Sequence, residues 1–398
     1  MSHMIELESL REEPISPTLD YGEDHGLLVS YSDARAYKTP ACFRGIWEKL
    51  KHEAKQIFHP SAAVFPKRIA NLLYATTLIF FGIFISTITI AFFRWKATDP
   101  FDTFFARFWD EGPSSAHNPA KYPIEFFGNV LPIPCHSHND YWRRTPLFAA
   151  LGSGCISVEA DVFYRNNELY VGHTESALHP GRTLKSMYIN RLVDLLDEMN
   201  PTHWRAADPK GVFYNAPHQS LTLVVDFKTA GNETWSALYE QLQPLRERGW
   251  LTNWNGTHRV ERPLTVVASG AADFDLVASH NQVRDIFLDA PLAELDHPFD
   301  DGTRFRYNVS NSHLASANFH DAIGSVFRGK VNDEQVLLIR KHTQSAQQRG
   351  LVPRYWGTPR WPRGLRDEIW ALLVRENIGL LNVDDLRGAR KGNWGSWS

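Results

Sequence analysis

Cysteine is scarce in this chain, three among 398 residues, and it decides little about the compartment. Cys42 lies on the other side of a long apolar run from Cys135 and Cys155. Those two end one predicted strand and begin the next, roughly 13 Å apart at about 3.3 Å per residue, so a disulfide between them is not expected. An excess of one charge is also missing: the formal net charge is -3, and no basic run is interleaved with aromatics, which excludes a general nucleic-acid binder. No Gly-rich phosphate turn follows a strand, which argues against a nucleotide-binding open sheet. No repeat of twenty to fifty residues is visible. The N-terminus is rich in acids and lacks the Arg-rich, acid-poor character of a transit peptide.

What the chain does have is one uncharged stretch, 69–93, long enough to cross a bilayer as a helix. It begins too far into the chain for a cleaved signal peptide. Lys49, Lys51, Lys55, Lys67 and Arg68 precede it, and Arg94 and Lys96 follow. That bias predicts a cytosolic N-terminus. Beyond the run, Asn232, Asn255 and Asn308 each open an Asn-x-Ser/Thr triplet, in keeping with a lumenal or extracellular remainder and the secretory pathway. The expected organisation is a largely disordered cytosolic tail over 1–68, with a short basic helix near its end, a transmembrane helix over 69–93, a linker over 94–125 and one domain over 126–398.

Within that domain, strand-like runs at 130–135, 156–163, 169–171, 221–227, 264–269, 285–288, 354–356 and 378–383 alternate with helical stretches such as 187–200, 233–248 and 333–348. This pattern predicts a mostly parallel sheet. His136, Asp161, Asp226, Ser269 and Asp384 all fall at or near C-terminal strand ends, and in a closed (β/α)8 TIM barrel those ends form one mouth.

The residues at that mouth have a shared chemistry. His136 and His138 close one strand, Glu159 and Asp161 share a face of the next, and His173 lies fourteen positions after Glu159. Taken singly, such residues are more often core histidines and solvated carboxylates. Together, with Val158, Ala160 and Val162 forming an apolar opposite face, buried carboxylates need a counter-charge. Oxygen ligands favour Mg2+ or Ca2+. Asp226 adds a third carboxylate, and Lys228, two positions on, an ammonium suited to a phosphate oxygen. A cation, a base and an acid are the needs of phosphodiester cleavage.

Six segments carry a resemblance: His136-x-His138-Asn139-Asp140-Tyr141, Ser157 to Val162, Leu169 to His173, Val225 to Lys228, Arg354 to Pro359 and Leu381 to Leu386. Their order and spacing resemble the altered inheritance of mitochondria protein 6 family of fungi, among the phospholipase-C-like phosphodiesterases, which also include glycerophosphodiester phosphodiesterases and sphingomyelinase D enzymes. The resemblance implies a TIM barrel and a divalent-cation phosphodiesterase. It implies Glu159, Asp161 and Asp226 as metal ligands, Lys228 as a phosphate contact, and His136 and His173 as the acid/base pair, with His138 a competitor for His136. Asn139, Trp356 and Asp384 are candidate substrate contacts. The membrane run makes a phospholipid or lysophospholipid diester the expected substrate. A catalytically silent barrel that binds or organises partners at the membrane is the alternative.

Overall fold

The computed structural model describes residues 67–96, 126–201, 208–279, 283–296, 306–326 and 330–392. The expectations for 1–66 and for 97–125 lie outside the described residues. The predicted span is a helix, Lys67–Lys96. Its apolar part, Ile69–Ala91, runs 23 residues without burial against protein, about 35 Å at 1.5 Å per residue, enough for a hydrocarbon core of about 30 Å. Thr76 and Thr77 donate their hydroxyls to the Leu73 carbonyl, and Thr87 to that of Ile83. These three hydroxyls are thereby satisfied without water.

The other described part is a closed barrel. Strands β1 (Ile133–Ser137), β2 (Cys155–Arg165), β3 (Glu168–Val171), β4 (Leu221–Phe227), β5 (Asn253–Trp254), β6 (Arg259–Val260), β7 (Leu264–Gly270), β8 (Ile286–Pro291), β9 (Ser312–Asn318), β10 (Val352–Trp356) and β11 (Leu380–Val383) follow one another between helices. Parallel pairing runs β1-β2-β4-β7-β8-β9-β10-β11 and returns to β1. The predicted eight-stranded barrel therefore forms, with one exchange of members. The 169–171 run is β3, an antiparallel extension of β2 outside the ring, and its place is taken by β9. Ser-His-Leu-Ala-Ser-Ala-Asn has too little apolar alternation to announce a strand. Its neighbours β8 and β10 supply its pairing.

Alternation along the strands builds the lumen in layers. Val224, Val267, Leu314 and Leu380 form a buried apolar cluster of their own, with Val352 packed against it. Two residues further along the same strands stand Asp226, Ser269, Ser316, Asn382 and Arg354, and two further again Lys228, Asn318, Asp384 and Trp356. The lumen is thus plugged below, polar in the middle and open above.

One expectation is overturned here. Cys135 and Cys155 are joined by a disulfide, with Cα atoms 4.8 Å apart. Distance along a strand was the wrong measure, because β1 and β2 lie side by side with Ile133 opposite Cys155 and His136 opposite Ser157. Closing a loop across a separation of 20 residues stabilises by about 3 kcal/mol in the chain-entropy estimate. Cys155→Ser is expected to lose about that much in urea unfolding, and without reductant neither Cys135 nor Cys155 of the unfolded parent should react with an alkylating reagent.

Candidate active site

At the end of β1 the chain turns sharply. Asn139 takes the left-handed conformation, φ 46° and ψ 46°, which asparagine tolerates better than most residues. Its amide donates to Glu159 Oε2 at 3.1 Å. Asp140, fully buried, accepts from Ser137 Oγ at 2.7 Å, Tyr188 Oη at 3.0 Å and the Leu147 amide at 2.6 Å. These bonds fix the His-Ser-His-Asn-Asp turn. Asn139 is therefore built into the loop, with its Oδ1 2.8 Å from the Tyr141 hydroxyl, and is only 5% exposed.

The two histidines of the turn have different surroundings. His136 is fully buried, with Nδ1 2.7 Å from Ser157 Oγ and Nε2 2.7 Å from Arg354 Nη1. A guanidinium only donates, so Nε2 accepts and Nδ1 carries the proton to Ser157. The 3.3 Å approach of Nε2 to Glu159 Oε2 is then a close contact of two acceptors, and the charge that balances Glu159 comes from elsewhere. Burial and the Arg354 guanidinium hold the His136 pKa down at about 4. His138 stands at the mouth, with Nδ1 2.8 Å from Asp384 Oδ1 and Nε2 4.0 Å from Glu159 Oε2. Burial opposes ionisation of Asp384, but hydrogen bonding from His138 and the charges of His138 and Arg360 hold its acid below the ordinary range.

His173 follows β3, so the hairpin outside the ring delivers the second histidine. Its Nδ1 lies 3.1 Å from Asp161 Oδ2 and 3.2 Å from the Tyr141 hydroxyl. Trp142 meets its ring edge-on at 5.0 Å between centroids. Burial and Asp161 push the Tyr141 phenol well up, so it stays a neutral donor.

The three carboxylates share one wall, but among the described residues no group of three His, Cys, Asp or Glu side chains gathers close enough to hold a metal ion. Lys228 stands between two of them, 3.0 Å from Asp161 Oδ2 and in contact with Asp226 Oδ2. Ser269 Oγ donates to Asp226 Oδ1 at 2.9 Å. Gly270, at φ +67°, allows that approach, since a Cβ there would come 2.6 Å from Asp226 Oδ1. Burial opposes the Lys228 charge, yet Asp226 and Asp161 raise its pKa. Burial also opposes ionisation of Glu159, while the Arg354 guanidinium and the Asn139 amide that donates to it favour the charged form. The Asp161 acid is raised by burial and then by Glu159, and among the described residues its buried Oδ1 has no partner. An unpaired buried carboxylate oxygen beside two further carboxylates is donor chemistry of the kind a divalent oxygen-loving cation takes, and such an ion would need these carboxylates drawn closer together than they stand.

Arg354 is the polar residue that the sequence motif contained without revealing its part. It is 3% exposed, and beyond His136 it reaches Ser316 Oγ at 2.8 Å, Asp289 Oδ2 at 3.1 Å and Asn382 Oδ1 at 3.3 Å. An arginine at an inward position of a short strand was the available signal. Trp356 ends β10 with 41% of its surface exposed.

Residues 124–289 match the AIM6-like phosphodiesterase domain. The chain is 39% identical over 282 residues to the altered inheritance of mitochondria protein 6 homolog of Arthroderma benhamiae, covering 68% of this chain and 87% of that protein. It is 34% identical to altered inheritance of mitochondria protein 6 of Saccharomyces cerevisiae over 65% of this chain and 70% of that one. Among solved structures, phosphatidylinositol-specific phospholipase C from Listeria monocytogenes aligns with a TM-score of 0.33 and 9% identity, over 70% of this chain and 90% of that one. The barrel, the ordered motif segments and these identities place the chain in the altered inheritance of mitochondria protein 6 family.

Proposed function

We propose that the protein is a membrane-anchored phosphodiesterase that cleaves a lipid phosphodiester by two-histidine acid/base catalysis. The observation that carries this reading is the matched treatment of His138 and His173. Each is approached at Nδ1 by a carboxylate, Asp384 or Asp161, which keeps the proton on Nδ1 of the neutral ring and leaves Nε2 to exchange protons with substrate. His138, the more enclosed of the two, takes the proton from the attacking water or neighbouring substrate hydroxyl as the new P–O bond forms. His173, at the outer edge and doubly protonated at that step, gives its Nε2 proton to the departing alcohol as the old P–O bond breaks. Lys228 faces a phosphate oxygen, and Tyr141 steadies Asp161 and His173. His136, with both ring nitrogens committed, positions β1 and takes no part in proton transfer.

Glu159, Asp161 and Asp226 are the residues that would hold Mg2+ or Ca2+, which when bound supplies positive charge to the phosphate oxygens. Asp161 Oδ1, orphaned and buried, supports this assignment. The basic bias before the apolar helix, the Asn-x-Ser/Thr triplets and the disulfide, a bond of oxidising compartments, together support a cytosolic N-terminus and a lumenal or extracellular barrel. Asn232 and Asn255 are exposed, as glycan acceptors must be.

The test is turnover by the purified full chain on glycerophosphodiesters, lysophospholipids and sphingomyelin, with Mg2+, Ca2+ or chelator. Cation-dependent release abolished in Glu159→Ala is the expected result. Folded protein that binds the cation and turns over none of these diesters would favour the silent, partner-organising barrel instead.

A further inference from the structure

The exposed tryptophans of the barrel are unevenly placed. Among its described residues, Trp142, Trp356 and Trp361 are 57%, 41% and 63% exposed, whereas Trp235, Trp250 and Trp370 are 6%, 0% and 8%. All three exposed rings belong to the same end. Trp142 lies in the segment after β1, Trp356 is the last residue of β10, and Trp361 follows in the loop before the helix Arg363–Arg375. A large apolar ring held in water costs free energy that a soluble enzyme has no reason to incur three times around one opening.

Arginines accompany them. Arg144 and Arg363 are exposed on the same two segments. Arg360, two-thirds exposed, reaches inward to Asp384 Oδ2 at 2.8 Å. Of the acids nearby, Asp384 is covered by His138 and Arg360, and Glu175 pairs with Arg165 at 2.6 Å. The segments after β1 and β10 therefore present tryptophan and positive charge, with no acid in 141–147 or 356–366. That combination suits the interface of a bilayer, where indole rings settle at headgroup depth and arginines meet lipid phosphate. The same chain supplies a 23-residue apolar helix, so a bilayer is the surface it meets at high effective concentration.

We infer that the mouth of the barrel docks on a phospholipid surface, with Trp142, Trp356 and Trp361 entering the headgroup layer and Arg144, Arg360 and Arg363 contacting lipid phosphate. This goes beyond the proposed chemistry and does not depend on turnover. The experiment is photolabelling of the full chain in vesicles of phosphatidylcholine and phosphatidylserine that carry a photoactivatable phosphatidylcholine, followed by peptide mapping. Adducts on peptides containing Trp142 and Trp356 to Trp361 are expected beside those on the spanning helix, which serves as the internal control, with none on peptides containing Trp235 or Trp250. Arg144→Glu and Trp361→Ala, which lie outside the proposed proton-transfer machinery, should each lose rim adducts and keep the helix adducts. Omitting phosphatidylserine should leave rim labelling in place, because phosphatidylcholine carries the same phosphate. Labelling confined to the helix would overturn the inference and leave the rim to a protein partner, whatever the outcome of the turnover assay.

Discussion

His138→Ala is expected to lower kcat by roughly one hundred- to ten thousand-fold, the usual worth of a positioned acid or base, with little change in unfolding midpoint. His136→Ala is expected to fail in a different way. Removing a fully buried ring leaves Ser157 Oγ without a partner and Arg354 Nη1 with Asn382 Oδ1 alone and opens a cavity, together costing about 2–4 kcal/mol of stability. Asp384→Asn separates the roles further. It keeps the shape beside His138 but reverses the preference for a proton on Nδ1, so it should lower kcat with a smaller effect on KM. Full activity in His138→Ala, with loss confined to a well-folded His136 variant, would return the proton-transfer role to His136.

Arg354→Met should produce the largest loss of stability. The guanidinium faces Asp289 Oδ2 at 3.1 Å, with side chains 3% and 7% exposed. Burial already pushes the Asp289 acid up. Taking away the cation leaves a carboxylate enclosed in the barrel, at a cost of about 3–5 kcal/mol, on the order of 10 °C in Tm. Arg354→Met with Asp289→Asn removes both charges and should recover a large share of the loss. A double-mutant cycle in urea measures the coupling. Near-additive losses would show that the pair is not the source of the effect. The variant also releases His136 Nε2 from its donor, so the double variant should keep its fold while turnover remains impaired.

The sequence was informative wherever a residue type has few structural options. The uncharged run at 69–93, the alternation of strands and helices, and the strand-end placement of His136, Asp226, Ser269 and Asp384 all follow from local pattern. What stayed hidden depends on neighbours across the sheet. β9 is made a strand by β8 and β10, the Cys135–Cys155 bond by the lateral approach of β1 and β2, and the enclosure of His136 by an arginine 218 positions away. His136 and His138 look equivalent along one strand face. Only the layer each occupies separates them, and layers arise from barrel closure, which no single segment encodes.

The apolar plug of Val224, Val267, Leu314 and Leu380 gives the lumen a floor, so the barrel is a cul-de-sac with a single doorway. A cleaved lipid diester yields two fragments of opposite solubility, one that remains dissolved in the bilayer and one that leaves into water. Under the proposed activity both would have to depart through the opening by which the intact molecule entered. Under the proposed docking, traffic through that doorway would be sorted where lipid and water meet, and the departure of the water-soluble fragment would be a step on which loops after β1 and β10 set the pace.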